Sequence, residues 1–243
     1  MRYITVALPT IVLVVVWAAG TSYSASIINF EAFGPSNSAP TEGDLIASVR
    51  RKGVTISFST ESPSGEVFTP IIAEVGVPRF GFQSTLGDDT PRNPSGSNFL
   101  AGGTYSLTDG LRQTHDYIIN FSTPVANLSL DLYDYRGDGP HAEANLGTDS
   151  VELQVFNVAG AQIGSDSFVL PTTRPIDGNV VNLGVNAVGI SSARLHFDGI
   201  DGGTAIDNVR FVVPEPAGLG LAVVGLIGIL GLGRRERLGN HLA

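Results

Sequence analysis

The stretch Val151-Glu152-Leu153-Gln154-Val155-Phe156 alternates apolar and polar side chains along most of its length. Side chains of a strand point to opposite faces in turn, so a period of two places one face in a core and the other in water. Val54-Thr55-Ile56-Ser57-Phe58-Ser59 and Leu128-Ser129-Leu130-Asp131-Leu132 repeat the pattern. Working outward, further strands are expected over Ile27 to Phe33, Tyr117 to Phe121, Ser165 to Leu170, Val180 to Leu183, Ala193 to Phe197 and Ala205 to Val212. Turn signals separate them at Ser64-Gly65, Asp109-Gly110, Gly137-Asp138-Gly139, Ala159-Gly160, Asp177-Gly178 and Gly202-Gly203. No helical period is sustained between these points. Many short strands with tight turns predict an all-β domain, an antiparallel β-sandwich of the jelly-roll kind. The segment from about Gly76 to Ser106, rich in Gly, Pro, Asn and Asp, reads as a long excursion from it.

Composition agrees with that reading and narrows the function. The chain has 243 residues, 30 of them Gly and 14 Pro, which favours short strands and turns over helix. Of 23 acidic residues only Glu215 and Glu236 lie outside 26–213, and of 14 basic residues Arg2, Arg234, Arg235 and Arg237 do, which leaves that stretch a formal charge of −11. Affinity for nucleic acid comes from basic groups displacing counterions, so a nucleic-acid partner is excluded. There is no cysteine, so disulfides, thiolate zinc sites and cysteine nucleophiles are excluded too.

The two ends are apolar. Arg2 precedes an apolar run from Ile4 to Ala19, and small residues follow up to Ala25, the order of a secretory signal peptide. Small side chains at Ser22 and Ser24 predict cleavage near Ser24 or Ala25, with an uncleaved membrane anchor as the alternative. At the other end Pro214-Glu215-Pro216 is followed by an uncharged segment, 217–233, and then by Arg234, Arg235 and Arg237. As a helix that segment would span about 25 Å, close to a ~30 Å hydrocarbon core, with the arginines held on the cytoplasmic side. The expected organisation is a signal peptide over 1–25, a β-sandwich over 26–213 and a C-terminal signal over 214–243, with a signal helix and a transmembrane helix flanking the domain.

Tripeptide, apolar segment and Arg cluster, in that order at the chain end, resemble the PEP-CTERM sorting signal of Gram-negative bacteria. The resemblance implies processing at Pro214-Glu215-Pro216 by an exosortase, a membrane-embedded transpeptidase. It also implies an inner-membrane intermediate that ends at the cell surface or outside the cell. The two prolines hold the backbone extended and remove amide donors, which keeps the motif out of a continuing helix.

Ile28-Asn29-Phe30-Glu31 and Gly203-Thr204-Ala205-Ile206-Asp207-Asn208-Val209 resemble the terminal strands of jelly-roll carbohydrate-binding modules and MAM-type adhesion domains. That resemblance implies a structural calcium ion shared by Glu31 and Asp207. Calcium takes six to eight oxygen ligands, and a link between the first and last strands would close the domain without disulfides. A surface carboxylate at Glu31 and a turn at Asp207-Asn208 are the plainer alternatives.

Asp131, Asp134 and Asp138 with Tyr133 and Tyr135 form the densest acidic and aromatic cluster. A glycosidase needs two carboxyls about 5 to 10 Å apart, but strand geometry sends Asp131 and Asp134 to opposite faces. Tyr133 and Tyr135 share a face with Asp131, where tyrosine either stacks on a sugar ring or packs half-buried. His115, His141 and His196 are scattered without metal-ligand spacing. The sequence therefore predicts an exported, non-enzymatic surface or matrix-associated protein. A carbohydrate-binding module for exopolysaccharide, with Asp131, Tyr133 and Tyr135 as ligand-binding residues, is the alternative, and a polysaccharide hydrolase a more distant one.

Overall fold

A computed structural model describes residues 23–32, 39–74, 96–102, 105–106, 110–111, 115–133, 149–170, 180–198 and 204–214. Residues 1–22 of the expected signal peptide, the apolar segment 217–233, the Arg cluster, Asp134, Tyr135, Asp138, Glu215 and Pro216 lie outside these residues, whereas the last three residues of that peptide, Tyr23 to Ala25, fall in the first strand.

Among the described residues every regular element is a strand. In chain order they are β1 (Tyr23–Ile28), β2 (Ser48–Arg51), β3 (Val54–Glu61), β4 (Val67–Phe68), β5 (Ile71–Glu74), β6 (Asn98–Gly102), β7 (Tyr105–Ser106) and β8 (Gly110–Leu111). There follow β9 (Asp116–Tyr133), β10 (Ser150–Phe156), β11 (Gln162–Val169), β12 (Val181–Asp198) and β13 (Thr204–Pro214). All pairings are antiparallel, and apart from the small β7–β8 hairpin one hydrogen-bonded sheet contains every strand.

The sheet is continuous because β9 and β12 are each 18 residues long and serve two neighbourhoods. The first part of β9 pairs with β3 and with the end of β12, whereas its last part pairs with β13 and with the start of β12. Sequence alternation suggests separate strands over 117–121 and 128–132, and over 180–183 and 193–197, because it lapses between them. The lapses are irregularities in register: Asn127 adopts φ 51°, and the β9–β12 ladder shifts between Val185 and Ser192. A bulge bends and twists a strand without ending it, so one strand can carry two layers.

The inward faces meet in one core that includes Ile56 and Phe58 of β3, Ile119 and Leu130 of β9, Leu153 of β10 and Phe211 of β13. Aromatic rings knit it together, with Phe121 5.5 Å from Phe211 and Phe30 edge-on to Phe58 at 5.7 Å. Tyr117 reaches from the first part of β9 to the far strands, its buried hydroxyl donating to Thr204 O at 2.6 Å with Leu100 O at 3.2 Å. Gly102 makes room for this ring, since a methyl there would meet Tyr117 Cζ and Thr60 Cγ2 at 2.8 Å each.

β6 lies inside the stretch that composition marks as an excursion. Asn98-Phe99-Leu100-Ala101-Gly102 pairs with β13 on one side and β5 on the other, and all five residues are buried. With both faces covered the strand has no polar face, so it leaves no alternation to read. Phe99, Ala101, Ala73, Ala205 and Tyr133 form a second, smaller apolar cluster.

Candidate functional site

The long strand β9 carries two buried aspartates, Asp116 at its start and Asp131 near its end. Each sits on the side of the sheet turned away from the main core and is held by an arginine from a neighbouring strand.

Asp131 receives four hydrogen bonds from three side chains. Arg210 donates through Nη1 to Oδ1 and through Nη2 to Oδ2, each at 2.9 Å. Asn182 Nδ2 donates to Oδ1 and Asn208 Nδ2 to Oδ2, both at 2.8 Å. These donors converge because β9 lies between β12 and β13, with Asn182 directly opposite Asp131. The β9–β13 ladder shifts between Asp207 and Arg210, and Asn208 takes φ 48°. That left-handed conformation suits asparagine better than most residues, and it lets Asn208 and Arg210 approach one carboxylate together. Burial pushes the Asp131 carboxyl up, but the Arg210, Asn182 and Asn208 hydrogen bonds and the Arg210 charge outweigh it and leave the pKa below its ordinary value. Arg210 is raised in turn, chiefly by its hydrogen bonds to Asp131.

Asp116 is held differently. Arg194 Nε and Nη2 both reach Asp116 Oδ2, at 2.7 and 2.6 Å, and His196 Nδ1 lies 2.8 Å from the same oxygen. The Phe197 amide donates to Oδ1 at 3.0 Å. Arg194 Nη1 extends to Glu61 Oε2 at 3.7 Å. The aspartate is nearly buried, while the His196 and Arg194 side chains remain 46 % and 37 % exposed. Next to it His115 is fully buried, its ring 5.0 Å from Phe68. Burial lowers the His115 pKa below 6.5 against the opposing pull of the Asp116 and Glu66 charges.

Around the Asp116 node the outer face carries polar side chains on five strands, with half-buried Ile118 between Ser59 and Arg194. Register sets Glu61 of β3 opposite Asp116, Glu152 of β10 opposite His196, and Ser167 of β11 opposite Glu152. One step along, Arg194 lies opposite Gln154, whose amide donates to Glu152 at 2.8 Å. Phe156 stands half-buried at the end of the same face.

The residues singled out by sequence fare unequally. Tyr133, expected as a surface for stacking on a sugar, is 1 % exposed and packs edge-on against Phe99 at 5.0 Å. The reason is β6, whose Phe99 and Ala101 occupy that side of the sheet. Burial, with the Asp131 and Asp207 charges, pushes the Tyr133 hydroxyl up to about 12. Asp131, expected beside it as a ligand contact, has its two oxygens engaged by Arg210 and the asparagines. Glu31 accepts a hydrogen bond from the Asn98 amide at 2.8 Å and so ties the segment after β1 to β6. Asp207 is buried opposite Asp131 in the β9–β13 ladder. Among the described residues no three His, Asp or Glu side chains come together in a metal-ligating group. Pro214 is the last residue of β13 and stands opposite Tyr23.

Sequence reasoning passed over Asp116, Arg194 and Arg210. The alternation of His196 and Arg194 with Ala193, Leu195 and Phe197 was the available signal, since it puts the two polar side chains together on the solvent face.

No family model matches the chain, and no curated protein matches it. Among solved structures it is similar to a DUF4465 family protein from Bacteroides caccae, with a TM-score of 0.47 and 11 % identity over 79 % of this chain and 100 % of that one. It is also similar to TmCBM61, solved with β-1,4-galactotriose, with a TM-score of 0.33 and 8 % identity over 66 % of this chain and 88 % of that one. A third similarity is to tailspike protein 4 of bacteriophage CBA120, with a TM-score of 0.30, 12 % identity and 65 % of this chain covered; the match spans 19 % of the tailspike chain. All three TM-scores are below 0.5.

Proposed function

We propose that the chain is an exported, non-enzymatic protein of a Gram-negative cell envelope, whose sandwich domain binds or builds rather than hydrolyses and which is sorted through Pro214-Glu215-Pro216. The observation that carries the non-enzymatic part is the state of the two buried β9 aspartates. Glycoside hydrolysis needs a carboxyl with a raised pKa, and a second one about 5 to 10 Å away. Asp131 is instead held below its ordinary pKa by Arg210, Asn182 and Asn208, and Asp116 is spent on Arg194, His196 and the Phe197 amide. Both are strand ties. Incubating the exported protein with a panel of polysaccharides tests this; release of new reducing ends, lost in Asp116→Asn, would overturn it.

The sorting part rests on sequence order, with the motif at 214–216, the uncharged segment at 217–233 and the arginines beyond. An exosortase-type enzyme would act on the membrane-held intermediate, and the mature protein would end on the cell surface or outside the cell. Mass spectrometry of the surface form is expected to find 217–243 missing, and an intact C-terminus there would refute processing.

A second reading, binding of exopolysaccharide, is favoured by the polar outer face of β3, β9, β12, β10 and β11. Gln154, Glu152, Arg194 and His196 offer donors and acceptors beside half-buried Phe156, a pattern suited to sugar hydroxyls and a ring face. A glycan array run with the exported protein, in calcium and in chelator, tests it. Binding that survives Arg194→Ala and Gln154→Ala would remove this face from consideration.

A further inference from the structure

The outer face of β3, β9, β12, β10 and β11 has an uneven supply of hydrogen-bonding groups. Its central cation is already engaged: Arg194 turns Nε and Nη2 to Asp116 and Nη1 to Glu61, so all three nitrogens face carboxylates of the protein. Gln154 donates its amide to Glu152. The strongest donors of the face are thus directed onto the protein's own acids.

Acceptors remain. Ser150 of β10 stands opposite Asp198 of β12, and Glu152 stands opposite His196, so Asp198 shares the outer face with His196 and lies diagonally across from Glu152. Diagonal neighbours in a ladder are about 7 to 8 Å apart, within reach of long side chains. Asp198 is exposed and Glu152 half-buried, and neither is paired with a cation among the described residues. His196 is beside both. The Asp116 carboxylate only accepts, so His196 Nδ1 carries the hydrogen of their 2.8 Å contact, and Nε2 of the neutral ring is a further acceptor. On the same face of β10, Phe156 lies four residues beyond Glu152, roughly 13 Å along the strand.

We propose that this face selects sugar polymers with free amino groups, hexosamine units whose nitrogen carries no acetyl group, and that Glu152 and Asp198 set the preference. The proposal rests on the exopolysaccharide reading above and names the class of polymer. An ammonium group brings three donors and a positive charge to a place where Glu152, Asp198 and His196 offer acceptors and where negative charge is uncompensated. Acetylation removes that charge and two of the donors, and adds a carbonyl acceptor that meets acceptors. A uronic acid or sulfate ester brings another anion against Glu152 and Asp198. The formal charge of −11 on 26–213 repels it at longer range as well. Phe156 offers an apolar surface to the ring face of a unit farther along the polymer.

Calorimetric titration of the exported protein in chelator tests this with three oligomers of equal length: an unacetylated hexosamine, its N-acetylated counterpart and a uronic acid. The unacetylated oligomer is expected to bind at least about tenfold more tightly than the acetylated one, the worth of one charge-assisted hydrogen bond, and the uronic acid not to bind. Glu152→Gln should remove most of that difference while leaving the affinity for the acetylated oligomer unchanged, which also shows that the variant is folded. Glu74→Gln on β5 alters the net charge equally and should leave the difference intact. Equal loss in the two variants would reduce the effect to net charge and overturn the assignment. A preference that survives Glu152→Gln combined with Asp198→Asn, or tighter binding of the acetylated or uronic acid oligomer, would overturn it too, with sugar binding itself left standing. Binding of none of the three would end the exopolysaccharide reading together with this inference.

Discussion

The two ends of β9 solve one problem in different ways. Each places an aspartate on the side of the sheet away from the main core and pairs it with an arginine from an adjacent strand. At Asp131 the donors are shared evenly, two on each oxygen, and they come from β12 and β13 together. At Asp116 three contacts crowd Oδ2, and the Phe197 amide alone takes Oδ1. The first node is a saturated rivet between strands. Both arginines reach solvent, Arg210 at 41 % and Arg194 at 37 %, but the second node adds a half-exposed histidine and faces a row of polar neighbours. A carboxylate with its donors shared over both oxygens is structural, whereas a node that adds an exposed histidine among polar neighbours offers a ligand groups to meet. Stability should therefore reside mainly at the Asp131 end and recognition at the Asp116 end.

Replacing the cations tests this contrast most directly. Arg210→Ala would leave Asp131 nearly buried with its charge uncompensated, and a loss of about 3 kcal/mol is expected, somewhat under the cost for a fully buried pair because Arg210 itself reaches solvent. Denaturant unfolding measures it; a loss below that of Arg194→Ala would reverse the assignment. Arg194→Ala is expected to cost about 1 kcal/mol, less than Arg210→Ala because Asp116 retains His196 and the Phe197 amide. Its larger effect should be on ligand binding, if the outer face binds sugars.

Acid separates the ends by pH window. The folded pKa of His115 lies below 6.5, so in the unfolded chain the ring takes up a proton first. Its contribution is complete above about pH 6.5 and is lost as pH falls below that value. The folded pKa of Asp131 is depressed, so its contribution is complete above the unfolded value of about 4 and is lost as pH falls through the lower folded value. Thermal melts against pH should show two declines, and His115→Phe should flatten the upper one alone. A single decline confined below pH 4 would sink the assignment to His115. The smallest effect is expected from calcium. Glu31 is engaged by the Asn98 amide, so adding calcium to chelated protein should leave the melting temperature unchanged; a rise abolished by Glu31→Gln would assign Glu31 to a calcium site.

How much of this was legible follows from what each residue's neighbours do. Val151 to Phe156 could be read at once, because one face of β10 is buried and the other is not. Asn98 to Gly102 could not, because a short strand covered on both faces shows no alternation and sits in a stretch rich in Gly, Pro, Asn and Asp. Tyr133 looked available for a sugar since nothing local says that Phe99, 34 residues earlier in the chain, lies against it. Arg210 and Asp131 are 79 residues apart, and a pairing over that separation has no periodic signature.

The sequence by itself determined the all-β character, the acidic surface, the absence of cysteine chemistry and the order of elements expected at the two ends. These are properties of composition and of a period of two, which depend on each residue and its near neighbours. Only the tertiary structure decided that β9 and β12 each pair with different strands along their length, that Tyr133 is core and that Asp116 and Asp131 are tied to arginines. It alone also set Tyr23 opposite Pro214. Those facts depend on register between strands distant in the chain, and register is fixed by the whole set of side chains competing for one core.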